Sequence, residues 1–231
     1  MHIQYVLPVP QAPSVAVAET SDRFPVRRIF CVGRNYAAHA REMGRDPDRE
    51  LPFFFLKPAD TVVDDGATIP YPPETSDFHY EMELVVAIGK GGANIPSDQA
   101  LEHVYGYAAG IDLTRRDLQL AARAQGRPWD WGKGFDLSAP CAPIQPAARI
   151  GHPQKGRIWL AVNDIPKQDA DLADLIWGVP HVIAFISNSM ALQPGDLIYT
   201  GTPAGVGPVI RGDVITGGID GVGSIRTIIA P

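Results

Sequence analysis

The sequence predicts a β-rich α+β domain. Glycine and proline together make up about a fifth of the 231 residues and are spread along the chain, the punctuation of many short strands and turns. The apolar segments are short, and long strands do not alternate with long helices, so a doubly wound nucleotide-binding fold is not expected. Nearly half the residues are apolar, enough for a sizeable core.

Residues 1–26 hold several prolines and one alternating piece, Ser14-Val-Ala-Val-Ala18; they read as an N-terminal extension with one strand, ahead of the main domain over 27–231. A strand over 28–32 runs into Gly33-Arg34-Asn35-Tyr36, a short helix over 37–43 and a charged, turn-rich stretch over 44–50. The phenylalanine run over 52–57 is a strand stopped by Pro58, Asp64-Asp-Gly66 is a turn, and 68–76 is extended. The clearest strand covers 79–88. A short helix over 98–103 takes Ser97 as its N-cap, and a strand follows over 104–112. An amphipathic helix over 114–125 ends at Gly126, a favoured residue just past a helix. Further strands are expected over 158–163, 197–200, 213–216 and 224–229, with helical segments over 172–176 and 180–190.

The formal charge is −6, and no basic stripe or run marks a nucleic-acid or membrane-surface protein. Cys31 and Cys141 are too few for a secreted disulfide framework and read as structural thiols. The first residues lack a signal-peptide pattern and no run is long enough to span a bilayer, so the expectation is a cytoplasmic protein.

In a strand over 79–88, Glu81 and Glu83 point to one face, opposite Met82, Leu84 and Val86. Buried together they would repel at a cost of several kcal/mol unless a cation lies between them; otherwise the two are simply solvated. Asp112 closes the next strand, either as the N-cap of the following helix or as a third oxygen ligand. Three carboxylates with open positions suit Mg²⁺ or Mn²⁺, and the lack of a Cys/His cluster argues against structural zinc. His79 shares the glutamate face by parity.

His39 and Glu42 lie three apart on a helical turn, where a carboxylate orients an imidazole as a general base requires; a surface pair has the same spacing. Lys133, in Trp129-Asp-Trp-Gly-Lys133, is a candidate oxyanion or carboxylate partner. Arg116 and Gln119 share a helix face, and Arg116 is suited to clamping a carboxylate. Thr200-Gly-Thr-Pro-Ala-Gly-Val-Gly207 has neither the P-loop nor the dinucleotide pattern, but offers a backbone-lined wall with the Thr202 hydroxyl. No Gly-x-Ser-x-Gly elbow occurs.

Six segments, in order, resemble the fumarylacetoacetate hydrolase family: Val32-Gly-Arg-Asn-Tyr-Ala-Ala-His39 with Glu42, Phe55-Leu-Lys-Pro58, Glu81-Met-Glu83, Gly110-Ile-Asp-Leu-Thr-Arg-Arg-Asp117, Gly132-Lys-Gly-Phe-Asp136, and Tyr199 to Gly207. The resemblance spans about residues 27 to 229, and within the family it is to the compact acylpyruvate and fumarylpyruvate hydrolases. It implies a roll of mixed β-sheets, usually homodimeric, with Mg²⁺ or Mn²⁺ on Glu81, Glu83 and Asp112. It further implies a His39–Glu42 dyad on a lid segment, and substrate contacts at or near Lys133, Arg34, Arg116, Gln119 and Thr202. Tyr80 departs from the pattern, since several relatives carry a second histidine there. The implied activity is metal-dependent cleavage of a carbon–carbon bond in an acylpyruvate, best matched by fumarylpyruvate. Oxaloacetate decarboxylation, a related isomerisation or hydration, and a catalytically dead metal-binding protein are the alternatives.

Overall fold

The computed structural model describes residues 4–37 and 51–231. Its centre is an eight-stranded mixed sheet. In spatial order the main path runs Phe53–Lys57, Arg28–Gly33, Asp196–Tyr199, Met82–Ile88, Val104–Ile111, Ala139–Cys141 and Val62–Asp64, with Gln145–Pro146 pairing beside Val104–Ile111. Arg28–Gly33 with Asp196–Tyr199 and Ala139–Cys141 with Val62–Asp64 pair in parallel; the other neighbours are antiparallel. A five-stranded sheet is built from Ile165–Asp171, Arg157–Val162, Val214–Ile219, Gly223–Ile229 and Thr68–Ile69.

Both faces of the large sheet are covered. On one face Phe30, Leu84, Val86 and Ile198 share a core with Ile158, Leu160, Ile215 and Ile225 of the five-stranded sheet. On the other, Ile29, Val85, Ala87 and Leu197 pack with Val15, Val17, Phe24 and Val26, which come from or flank the hairpin of Ser14–Ala16 and Arg23–Pro25. This two-sided burial explains why Leu84 to Ile88 reads as an unbroken apolar run. Both cysteines are free and buried.

The strand expected over 79–88 is interrupted at Glu81. Phe78–Tyr80 pairs with Thr114–Arg115 and Gly207–Pro208 in a small third sheet, whereas Met82–Ile88 pairs inside the large one. The change of neighbours forces the break. The helix expected from 114 begins at Arg116 and runs to Ala124, because Thr114–Arg115 is taken by that small sheet; Gly126 follows it at φ 63°. The segment expected as a helix over 98–103 is a 3-10 turn, Ala100–His103, entered through Gln99 and not capped by the Ser97 side chain. A second 3-10 turn, Leu172–Asp174, stands where a helix was expected, held by a capping box on Asp171. The last expected helix is Val179–Ser189. The helix expected over 37–43 and the stretch over 44–50 lie outside the described residues apart from Ala37.

Candidate metal centre and substrate cleft

Strand parity and register assemble the site. Cys31, Phe55 and Glu83 share the sheet face of Val85 and Ala87 by alternation, and Lys57 follows Phe55 on that face. Met82 pairs with Ile111, so the next residues outward, Glu81 and Asp112, are opposite each other, and Asp112 N donates to Glu81 O at 2.8 Å. Glu83 faces Gly110, which brings no side chain to compete for the space. One carboxylate oxygen from each of Glu81, Glu83 and Asp112 lies within 4.8 Å of the others, and all three residues are buried. Asp112 is not a helix cap, since that position belongs to Arg115.

Three buried cations face these carboxylates. Arg116 Nη2 donates to Glu81 Oε1 at 2.5 Å. Lys133 Nζ donates to Glu81 Oε2 at 2.8 Å, Asp112 Oδ2 at 2.6 Å and Thr114 Oγ1 at 2.7 Å. Lys57 Nζ lies 2.8 Å from Asp112 Oδ1 and donates to the carbonyls of Leu113 (3.1 Å) and Lys133 (2.5 Å). Burial works against the Lys133 charge, but Asp112 and Glu81 outweigh it and hold the ammonium above its usual pKa. Glu83 differs: Gly201 N donates to its Oε2 at 2.7 Å, and it forms no ion pair among the described residues. Burial first, then the charges of Asp112 and Glu81, push its carboxyl well above the usual range.

This donor set fits a hard divalent cation, which takes carboxylate oxygens at about 2.0–2.6 Å. Oxygens no more than 4.8 Å apart surround a point within or just beyond that reach. Among the described residues Glu83 has no cation of its own, and the buried Asp112 Oδ1 accepts no hydrogen bond, its neighbour Lys57 acting only as a charge. Such residues would hold Mg²⁺ or Mn²⁺.

Glu81, Glu83, Arg116, Gln119 and Lys133 line a cleft together with Arg34, Phe55, Trp129 and Thr202; Asp112 is fully buried and does not line it. Arg34, at φ 59°, sets its guanidinium 5.9 Å from the ring centroids of both Phe53 and Trp129. Its neighbour Asn35 fixes this bend: Nδ2 donates to the carbonyls of Trp177 and Thr200, and Trp177 N donates to Oδ1. Arg116 Nη1 donates to Gln119 Oε1 at 2.5 Å. Trp129 lines the cleft, whereas Trp131 is 74% exposed. His79 is not in the carboxylate group: its ring bridges Asp77 Oδ1 (2.8 Å) and Arg116 Nε (3.4 Å). His39 and Glu42 lie outside the described residues.

Sequence reasoning missed Lys57, Asn35 and Gln168. For Lys57 a signal existed, since alternation along Phe53–Lys57 puts a lysine on the face of two phenylalanines, where it needs a carboxylate partner.

A fold of mixed sheets around three buried carboxylates defines a metal-site enzyme class, and residues 28–230 match the model of the fumarylacetoacetate (FAA) hydrolase C-terminal family; the chain belongs to that family. It is 51% identical to the fumarylpyruvate hydrolase of Ralstonia sp over 191 residues, 82% of this chain and 99% of that protein. It is 41% identical to the mitochondrial oxaloacetate tautomerase of Arabidopsis thaliana, over 86% of this chain and 89% of that one. Its fold superimposes on the crystal structure of fumarylpyruvate hydrolase from Pseudomonas aeruginosa in complex with Mn²⁺ and pyruvate with a TM-score of 0.96, at 51% identity, over 98% of this chain and 99% of that one.

Proposed function

We propose that this protein is a divalent-metal-dependent hydrolase that cuts the carbon–carbon bond of an acylpyruvate, with fumarylpyruvate, giving fumarate and pyruvate, as its best substrate. The observation that carries the reading is the buried Glu81–Glu83–Asp112 set, two of whose carboxylates line a cleft. The likeness to a fumarylpyruvate hydrolase with Mn²⁺ and pyruvate supports it. A divalent cation on these carboxylates supplies a Lewis acid for the α-keto acid end of the substrate.

The chain's own residues supply the rest. His39, oriented by Glu42, takes a proton from water as that water attacks the distal carbonyl carbon. Lys133, a buried ammonium at the carboxylate cluster, stabilises the developing oxyanion. The carbon–carbon bond then breaks, its electron pair stays with the pyruvate half as the enolate, and a proton returned to that carbon gives pyruvate. Arg34, Arg116, Gln119 and Thr202 contact the substrate. The reading includes a catalytic domain over 27–231 with 1–26 as an extension, a homodimer, as the family resemblance implies, and a cytoplasmic location. No helix among the described residues is long and apolar enough to cross a membrane.

A second reading draws on a relative that is the mitochondrial oxaloacetate decarboxylase of Dictyostelium discoideum, 44% identical over 85% of this chain and 90% of that one. Oxaloacetate offers the same α-keto acid to the same site, and losing CO₂ leaves the same enolate with no attacking water. Pyruvate release from fumarylpyruvate, acetylpyruvate and oxaloacetate, each with Mn²⁺ and with EDTA, separates the two. The expected result is fast, EDTA-sensitive release from an acylpyruvate, cut by about 10²-fold or more in His39→Ala, with any oxaloacetate decarboxylation spared. Release from oxaloacetate alone would replace the hydrolase reading with the second.

A further inference from the structure

Gln168 lies on the Ile165–Asp171 strand of the five-stranded sheet, outside every segment that carried the family resemblance, and is 1% exposed. Its side chain reaches the break in the metal-site strand and the glycine-rich loop together. Met82 N donates to Gln168 Oε1 at 2.9 Å. Gln168 Nε2 donates to the Pro203 carbonyl at 2.8 Å and to Thr202 Oγ1 at 2.8 Å.

The direction of each bond is forced. A backbone N–H only donates and a carbonyl oxygen only accepts, so Met82 and Pro203 fix which end of the amide is oxygen and which is nitrogen. The nitrogen has no lone pair to offer, so its second hydrogen goes to Thr202 and the threonine oxygen accepts. The Thr202 hydroxyl hydrogen is thereby left unclaimed among the described residues, on a buried side chain that lines the cleft. A buried hydroxyl proton without an acceptor is costly, and the cleft is where an anionic ligand oxygen would meet it.

We infer that Gln168 is a positioning residue that sets Thr202 as an obligate hydrogen-bond donor to the substrate's carboxylate, while tying that donor to the backbone between Glu81 and Glu83. Met82 N, which it holds, is the peptide nitrogen that joins Glu81 to the Glu83 strand. One side chain therefore fixes the carboxylate reader relative to the metal carboxylates. The inference rests on the proposed function, in which the α-keto acid end of the substrate is bound in this cleft.

The test is a double-mutant cycle on pyruvate binding in the presence of Mn²⁺, read by calorimetry, with Mn²⁺ binding measured separately by electron paramagnetic resonance. Gln168→Met keeps the volume and removes all three bonds; Thr202→Val removes the donor. Each single change is expected to weaken pyruvate binding by about tenfold or more, the effect of losing a hydrogen bond to a charged group. The double variant should be no worse than Thr202→Val, and Thr202→Ser should restore most of the affinity. Where Gln168→Met does not fold, Gln168→Glu keeps the shape and the acceptor toward Met82 N and is carried through the same cycle. Additive losses, or a Gln168 variant that binds pyruvate as the unmodified protein does while Thr202→Val is impaired, would overturn the role of Gln168 and leave the hydrolase reading standing. Failure of the unmodified Mn²⁺-loaded protein both to bind pyruvate and to release it from acylpyruvates would overturn the proposed function and this inference with it.

Discussion

At the scale of single residues, the site is a contest between five buried charges and one unmatched carboxyl. Glu81 and Asp112 have cations against their oxygens, whereas Glu83 has the Gly201 N–H and two negative neighbours. Burial and those neighbours raise its folded pKa well above its ordinary value of 4.5. A carboxyl with a raised folded pKa stabilises the fold most below its unfolded pKa, where both states hold the proton. As pH rises past 4.5 the unfolded state releases the proton first, and that contribution is lost until the folded pKa is passed. Glu83→Gln has no proton to lose and its amide oxygen still accepts from Gly201. Without metal, this variant should therefore melt higher than the parent at pH 8, by about 2–4 °C for each kcal/mol recovered in a chain of this length. The gap should close toward pH 4. Thermal scans in EDTA at several pH values would check it, and a parent protein at least as stable as the variant at pH 8 would refute the assignment of strain to Glu83.

At the scale of elements, the hairpin of Arg157–Val162 and Ile165–Asp171 shows what its turn residues cost. Val162 pairs with Ile165, so the loop is Asn163-Asp164 alone, with φ 49° and 63°. This is the type I′ geometry that suits the right-handed twist of strands and favours Asn-Gly. Asp164 holds a left-handed conformation with a side chain, at a cost near 1 kcal/mol. Asp164→Gly should stabilise the protein by roughly 0.5 kcal/mol, after the added freedom of the unfolded chain is subtracted, and leave pyruvate release unchanged. Urea denaturation would measure it, and a loss of stability would show that this turn is held by more than its backbone. The first strand of this hairpin, expected over 158–163, was legible in sequence, but the second was not: Ile165-Pro-Lys-Gln-Asp carries one apolar residue followed by exposed or polar ones, and only pairing makes it a strand. The same limit hid Ala139–Cys141, three residues whose place is set by two neighbours. The carboxylates were legible because burying like charges in one strand demands a cation. Gln168 and Asn35 were not, because an amide that satisfies distant backbone leaves no local pattern. Lys57 stood between, visible by parity and unassigned.

At the scale of the whole molecule, the candidate metal centre joins segments far apart in the chain: Glu81 and Glu83, Asp112, Lys133 and Lys57, and through Gly201 the loop after Asp196–Tyr199. Met82–Ile88, Val104–Ile111 and Asp196–Tyr199, which carry or adjoin the carboxylates and Gly201, are the middle of the eight-stranded sheet, where local opening is costly and the stability of the part approaches that of the whole. A cation held there binds the folded state alone, so its binding free energy adds directly to global stability, by about 2.7 kcal/mol at a hundred times its dissociation constant. For a chain of this size that corresponds to a melting temperature raised by roughly 5–11 °C. The increment should grow with pH, because binding at Glu83 must displace a proton that the metal-free fold retains more tightly than the unfolded chain does. Melting temperatures with excess MnCl₂ and with EDTA, at pH 6 and pH 8, give both effects in one experiment. A metal-induced rise that is larger at pH 8 than at pH 6 supports cation binding at the three carboxylates. A rise independent of pH would place the ion away from Glu83, and no rise at either pH would leave the cluster as an ion-paired core whose charges are balanced by Lys57, Lys133 and Arg116 alone.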